Sequence, residues 1–158
     1  MGAEGLVICT NTMHKLASVV EAAVEIPLIH IADATAQKIV AKSLGKIALL
    51  GTSFTMEQDF YKSRLTQNFG LDVSVPNQEQ RDEIHRVIYE ELVQGIIVDS
   101  SREYLLGVID ELVAAGAEGV IAGCTEIELL VKPSDVEVDY FPTTAIHAEA
   151  AAQFLLGE

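Results

Sequence analysis

The sequence predicts an α/β protein built on a mostly parallel sheet, and two features carry the prediction. Apolar runs of four to six residues alternate with helical stretches of ten or more. The runs are apolar at nearly every position, as strands covered on both faces are.

Taken in order, GLVIC (5–9) reads as a buried strand and TMHKLASVVEAAVE (12–25) as a helix with Thr12 at its N-cap. PLIHI (27–31) is a second strand. DATAQKIVAKSLG (33–45) is a helix that Asp33 can cap and Gly45 can end. KIALLG (46–51) is a strand, MEQDFYKSRLTQNFG (56–70) a helix and LDVSVP (71–76) a short strand. Two helices with acidic outer faces follow, at 78–95 and 100–116. The acidic residues of 79–91 read as a solvated face. GVIAG (119–123) is a buried strand, TEIELLV (125–131) starts a short helix, VEVDYF (136–141) is the last strand and TTAIHAEAAAQFLLG (143–157) the last helix. No low-complexity linker divides the chain.

The tetrapeptide GAEG occurs twice, at 2–5 and at 116–119. The second copy closes a helix and launches a strand, with glycine in the helix-terminating position. The first has no helix before it, so the strand is entered in mid-motif. The expectation is a first lobe that is incomplete in this chain.

Half of the 158 residues are hydrophobic (49%) and 22% are charged, which suits a packed core. The net charge of −14 and the scattered basic residues argue against nucleic acid and against an anionic membrane surface. No basic start followed by a long apolar run marks a targeting segment, and no window has the ~18 apolar residues of a membrane span. A cytoplasmic location is expected, where thiols stay reduced. No Cys-x-x-Cys is present and the four histidines are dispersed, so no metal site is expected.

The two cysteines, Cys9 and Cys124, each end a predicted strand and are each followed by Thr and then by Asn11 or Glu126. In parallel α/β sheets, binding chemistry collects at such strand ends, beside helix N-termini. Backbone N–H groups and the helix dipole there lower a thiol pKa and can hold a carboxylate. Two equivalent thiols facing one cleft suit proton transfer between the two faces of a carbon, one sulfur as base and the other as acid. The ordinary alternative is two strand–turn–helix junctions with Cys as a small buried hydrophobe. A redox pair is a further alternative. His14 could tune Cys9 or simply pack, His147 could reach the cleft, and Glu126 could orient the second thiol or serve only its helix N-terminus. LLGTSFT lacks the Gly-Lys-Ser/Thr of a phosphate loop.

CTNTMHK (9–15), LLGTSFTMEQDFYKSRL (49–65), GCTEIELLVK (123–132) and TTAIHAEAA (143–151) together resemble the aspartate/glutamate racemase family over nearly the whole chain. The resemblance implies two pseudo-symmetric α/β lobes with mostly parallel sheets flanked by helices. Residues 1–42, with 143–158 returning to them, are expected to form the remnant of the first lobe, and 43–142 the second. It implies cofactor-independent racemisation of aspartate or glutamate, with Cys9 and Cys124 as the two acid/base thiols. Thr10, Asn11, Thr12, Thr125 and Glu126 are the implied substrate contacts, with Thr52 and Thr55 in the cleft wall. Members of the family carry a longer segment before the first cysteine motif, with a glycine-rich turn and an arginine for the side-chain carboxylate. The chain has Gln94 where the family tends to place Lys, and Pro142 where it often has Asp. Arg102 and Lys132 are the remaining nearby cations and read as solvated. A homo-oligomer is expected. The alternative function is a non-catalytic carboxylate-binding or assembly module of the same fold.

Overall fold

The structure is a computed structural model, and it describes residues 2–157; the outermost positions of the predicted lobes, 1 and 158, lie outside the described residues. Two parallel sheets are present among the described residues. The smaller pairs β1 (Leu6–Val7) with β2 (Leu28–Ile29). The larger has four parallel strands in the order β4-β3-β5-β6: β3 (Lys46–Gly51), β4 (Asp72–Ser74), β5 (Gly119–Gly123) and β6 (Asp139–Pro142). The central strands β3 and β5 match their expected bounds, and all but Lys46 are buried.

Burial on both faces follows from the pleat, which sends successive side chains to opposite sides. Ile47, Leu49, Ile121 and Phe141 face a layer made by α2 (Ile31–Ala41), α4 (Asp59–Phe69) and α8 (Thr143–Leu156). Ala48, Leu50, Val120 and Ala122 face α5 (Gln78–Arg86), α6 (Asp99–Ala114) and α7 (Ile127–Leu130). Each fully buried Leu or Ile contributes about 1.5–3 kcal/mol, so these two clusters are the main source of stability. Because α2 covers the four-stranded sheet, a division at residue 42 would separate a helix from the sheet it packs on.

Several helix boundaries differ from expectation, each for a local reason. The segment from Thr12 opens as a 3₁₀ turn (Thr12–Leu16) before α1 (Ala17–Ala23), and Thr12 does not cap it. Its hydroxyl is bonded to other threonines instead. α2 begins at Ile31, two residues before Asp33, because the His30 ring accepts the Ala32 N–H and acts as the cap. Asp33 pairs with Arg64 at 2.6 and 2.7 Å. The chain leaves α2 through Ser43, in the left-handed region at φ 60°, before Gly45 is reached. The helix expected at 56–70 is two: α3 (Ser53–Glu57) and α4, broken at the extended Gln58 and closed by left-handed Gly70. The helix expected over 78–95 is α5 followed by a π turn (Val87–Glu91) and a 3₁₀ turn (Leu92–Gln94).

The second GAEG has a steric reason at its last position. A Cβ on Gly119 would stand 2.8 Å from the Asp139 carbonyl oxygen, whereas one on Gly5 would meet only side-chain atoms of Phe154 and Ile29. In the second copy, Glu118 also accepts the N–H groups of Gly45 and Lys46 at 2.7 and 2.8 Å, tying the start of β3 to β5.

Candidate active site

Each cysteine lies just past the carboxyl end of a strand. Cys9 follows β1 in a tight turn, where the Thr10 N–H donates to the Ile8 carbonyl at 2.8 Å. Cys124 follows β5 directly. That junction is close-packed: Gly51 and Gly123 are register partners, and a Cβ on Gly123 would meet the Leu50 carbonyl oxygen at 2.7 Å. Both cysteines are free, Cys9 exposed and Cys124 buried.

The two sulfur-bearing residues line one cavity of about 350 Å³. Thr10, Asn11, Thr12, Thr52, Thr125 and Glu126 share its wall with Met13, Ile88, Tyr89 and Val93. Of the site residues expected from sequence, only Thr55 is not on this wall. It is fully buried, and its hydroxyl lies 3.2 Å from that of Thr52 and 3.4 Å from that of Thr12. Thr12 and Thr52 are themselves 3.2 Å apart. Thr52 also caps α3, accepting the Thr55 N–H. Thr55 therefore braces the two threonines that do line the cavity.

Asn11 is buried, and its orientation is fixed by a relay. The Thr143 hydroxyl donates to the Ala122 carbonyl at 2.7 Å, so its oxygen is left to accept from Asn11 Nδ2 at 3.0 Å. Asn11 Oδ1 then has no partner among the described residues and is buried. A buried acceptor without a donor costs about 1–3 kcal/mol. Thr143 was not anticipated as a site residue. Its only sequence signal is the Pro-Thr junction that opens the last helix.

Glu126 organises the second thiol. Its Oε2 accepts from the Cys124 thiol at 3.0 Å and from the Thr125 hydroxyl at 2.6 Å. Burial and the Glu126 carboxylate push the Cys124 thiol up to about 12. This corrects the expectation of a thiol acidified by its helix: the Glu126 and Ile127 N–H groups at the start of α7 do act to lower it, but burial first and then the Glu126 carboxylate outweigh them. Burial works to raise Glu126, but the hydrogen bonds from Cys124 and Thr125 prevail and hold its carboxyl below the usual range.

The remaining candidates fall outside this wall. His14 Nδ1 lies 2.8 Å from the Thr10 carbonyl oxygen, behind the Cys9 turn. His147 Nε2 lies 2.7 Å from the Ile29 carbonyl oxygen, and its ring lines a second, mainly apolar cavity of about 440 Å³ that also touches Cys9 and Thr125. Arg102 is paired with Asp135 at 2.5 Å, and Lys132 reaches the Glu128 carbonyl. The apolar wall of Ile88, Tyr89 and Val93 comes from the π and 3₁₀ turns, where a regular helix had been expected. The acidic face there is only partly solvated: Glu91 is mostly covered, bonded to Arg86 at 2.9 Å and Ser101 at 2.7 Å. Among the described residues, no group of three or more His, Cys, Asp and Glu could hold a metal ion, and no helix is long and apolar enough to cross a membrane.

Residues 1–151 match the family described as Asp/Glu/hydantoin racemase. A candidate Asp/Glu racemase from Yersinia pestis is 54% identical, with a TM-score of 0.94 over 98% of this chain and 67% of that one. An aspartate racemase homologue from Pyrococcus horikoshii OT3 is 37% identical, with a TM-score of 0.86 over 99% of this chain and 68% of its own. Glutamate racemase from Francisella tularensis, solved in complex with D-glutamate, shares the fold at a TM-score of 0.71 and 15% identity, with 98% of this chain covering 58% of that one. The chain thus spans about two thirds of the length of the first two and less of the third. A match along nearly its whole length makes this chain a member of the Asp/Glu/hydantoin racemase family.

Proposed function

We propose that the chain carries the proton-transfer site of a cofactor-independent racemase acting on aspartate or glutamate, with Cys9 and Cys124 as its two acid/base groups. One observation carries the reading: both cysteines line a single cavity, whose volume of about 350 Å³ lies at the small end of the range for ligand sites, ~300–1,000 Å³. The family's substrates supply the rest, including the D-glutamate bound by the Francisella tularensis enzyme.

In this mechanism the substrate α-carbon sits between the sulfurs. The Cys9 thiolate takes the α-proton, and the electron pair is held on the carbanion as its carboxylate is stabilised by hydroxyl and N–H donors. Cys124 delivers its proton to the opposite face, becoming thiolate. Cys124 suits the acid role in this direction, because burial and Glu126 favour its protonated form. Asn11, a wall residue whose Oδ1 is buried and unpartnered among the described residues, turns that oxygen into the cavity to take an N–H of the substrate ammonium. Thr10, Thr12 and Thr52 are the hydroxyl donors to carboxylate, while the Thr125 hydroxyl is held by Glu126. Self-association belongs to the reading as well: Leu155 and Leu156 at the end of α8 are exposed and apolar, and light scattering of the purified chain tests it.

A second reading is a carboxylate-binding module without chemistry. It is favoured by the cavity wall itself, whose charged residue is the acidic Glu126, with no Lys or Arg among the described residues that line it. Chiral chromatography of aspartate and glutamate incubated with the chain separates the two. Cys9→Ala and Cys124→Ala are each expected to abolish racemisation while leaving exchange of the α-proton of one enantiomer with deuterated water. Racemisation at the parent rate in either variant refutes the two-thiol mechanism. Aspartate binding without racemisation by the parent chain establishes the second reading.

A further inference from the structure

Three imidazoles pack together behind the Cys9 turn. His14, His30 and His147 are all buried, with the His14 ring centroid 4.3 Å from that of His30 and 5.7 Å from that of His147. Two of these rings receive the first amides of α2. The Ile31 N–H donates to His14 Nε2 at 3.2 Å, and the Ala32 N–H donates to His30 Nδ1 at 3.1 Å. A ring nitrogen that accepts a hydrogen bond carries no proton. His14 must then carry its proton on Nδ1, which donates to the Thr10 carbonyl at 2.8 Å. One nitrogen of His14 holds the middle of the Cys9–Asn11 turn, and the other holds the start of α2.

We propose that neutral His14 is the positioning residue of the Cys9–Asn11 turn, and that protonating its Nε2 is an acid-operated release of that turn and of the α2 N-terminus. The proposal rests on the racemase reading only in taking this turn as part of the site. A proton on Nε2 replaces an acceptor with a donor that faces the Ile31 N–H, and two donors cannot pair. The resulting cation also stands at the positive end of an 11-residue helix.

The charges around His14 reinforce this. His30 precedes α2, Asp33 lies in its first turn, Arg64 comes from α4 and His147 from α8. Glu21 of α1 acts at a remove, 4.0 Å from Arg64. Among the described residues, Asp33 is the carboxylate that acts on the His14 and His30 rings, and it is engaged in a two-bond pair with Arg64. Burial is the first cause that keeps His14 below the ordinary histidine value, with His147 and Arg64 acting in the same direction and the Thr10 carbonyl and Asp33 opposing them. Burial and then His14 itself do the same to His30.

Long-range ¹H–¹⁵N spectra of the full chain test the tautomer. They are expected to show His14 protonated on Nδ1 and bare on Nε2 at pH 7, with a midpoint below the free value of about 6.5. An Nε2–H tautomer, or titration at the free value, overturns the proposal. Amide exchange tests the release. After correction for intrinsic exchange, the protection of Ile31 relative to Leu65 in α4 is expected to fall about tenfold or more between about pH 6.5 and 4.5, the loss of one hydrogen bond. His14→Gln keeps a hydrogen-bonding amide without a titrating ring, and its ratio is expected to stay flat. An equal acid loss in His14→Gln, or none in the parent, overturns the proposal. None of these readouts needs racemisation, so failure of the proposed function and failure of this inference are told apart.

Discussion

Replacing Glu126 by Gln should make Cys124 more reactive, and the structure sets the scale. The carboxylate oxygen is 3.0 Å from the sulfur. Two unit charges at that separation repel by about 1.4 kcal/mol in bulk water and about 5.5 kcal/mol at an effective dielectric of 20. Even the lower figure is one pKa unit, or about 1.4 kcal/mol. Burial, the larger cause of the raised thiol, stays in place. At pH 8 the thiolate fraction of Cys124 should therefore rise about tenfold or more. A less basic thiolate is also a weaker nucleophile, by about threefold per unit, so the net gain in alkylation rate is about threefold or more. Iodoacetamide labelling followed by mass spectrometry reads the two cysteines separately, and exposed Cys9 in the same molecule serves as the internal control. A Cys124 rate in Glu126→Gln equal to or below the parent's, with Cys9 unchanged, would show that Glu126 does not hold the thiol proton.

Three further outcomes follow from the same geometry. The folded state holds His14 and His30 below the ordinary histidine value, so the unfolded chain binds more protons below about pH 6.5 and stability is lost as pH falls through that point. Urea unfolding should show a loss of about 2 kcal/mol between pH 7 and 5 from His30, to which His14 adds in the same direction, whereas a flat profile would mean that both rings protonate in the fold. Gly123→Ala should cost about 1–3 kcal/mol in thermal or urea unfolding, because its Cβ would press on the Leu50 carbonyl at 2.7 Å; a neutral substitution would mean that β3 and β5 separate freely there. Asn11→Leu removes an unpartnered acceptor together with one hydrogen bond, so stability should change by less than about 1.5 kcal/mol while binding of aspartate by calorimetry is lost; unaltered binding would remove Asn11 from ligand recognition.

The parts of the fold that were legible in the sequence are those set by continuous apolar patterning. KIALLG and GVIAG announce buried central strands, and the structure has them at those bounds. What sequence obscured was decided by side chains meeting across the fold. Nothing near Thr12 reveals that its hydroxyl will bond to Thr52, forty residues away, in place of capping a helix. The start of α2 depends on an imidazole acceptor, and histidine is not a usual cap. The π turn at Val87–Glu91 lies inside an unbroken helical pattern, so the apolar wall it supplies was invisible. The cavity residues around the two sulfurs were legible because they cluster in two short motifs. Their electrostatics were not, because the pKa of Cys124 is set by burial and by which way Glu126 turns.

The sheets that carry the two sulfurs are unequal in size. Cys124 extends from a strand with five register partners on β3 and four on β6, whereas the strand before Cys9 has two partners in all. Short ladders open at lower free energy than long ones. In the proposed two-thiol site, one wall of the crevice is an anvil and the other a leaf spring, so adjustment of the sulfur-to-sulfur gap around a small acid would fall to the Cys9 side.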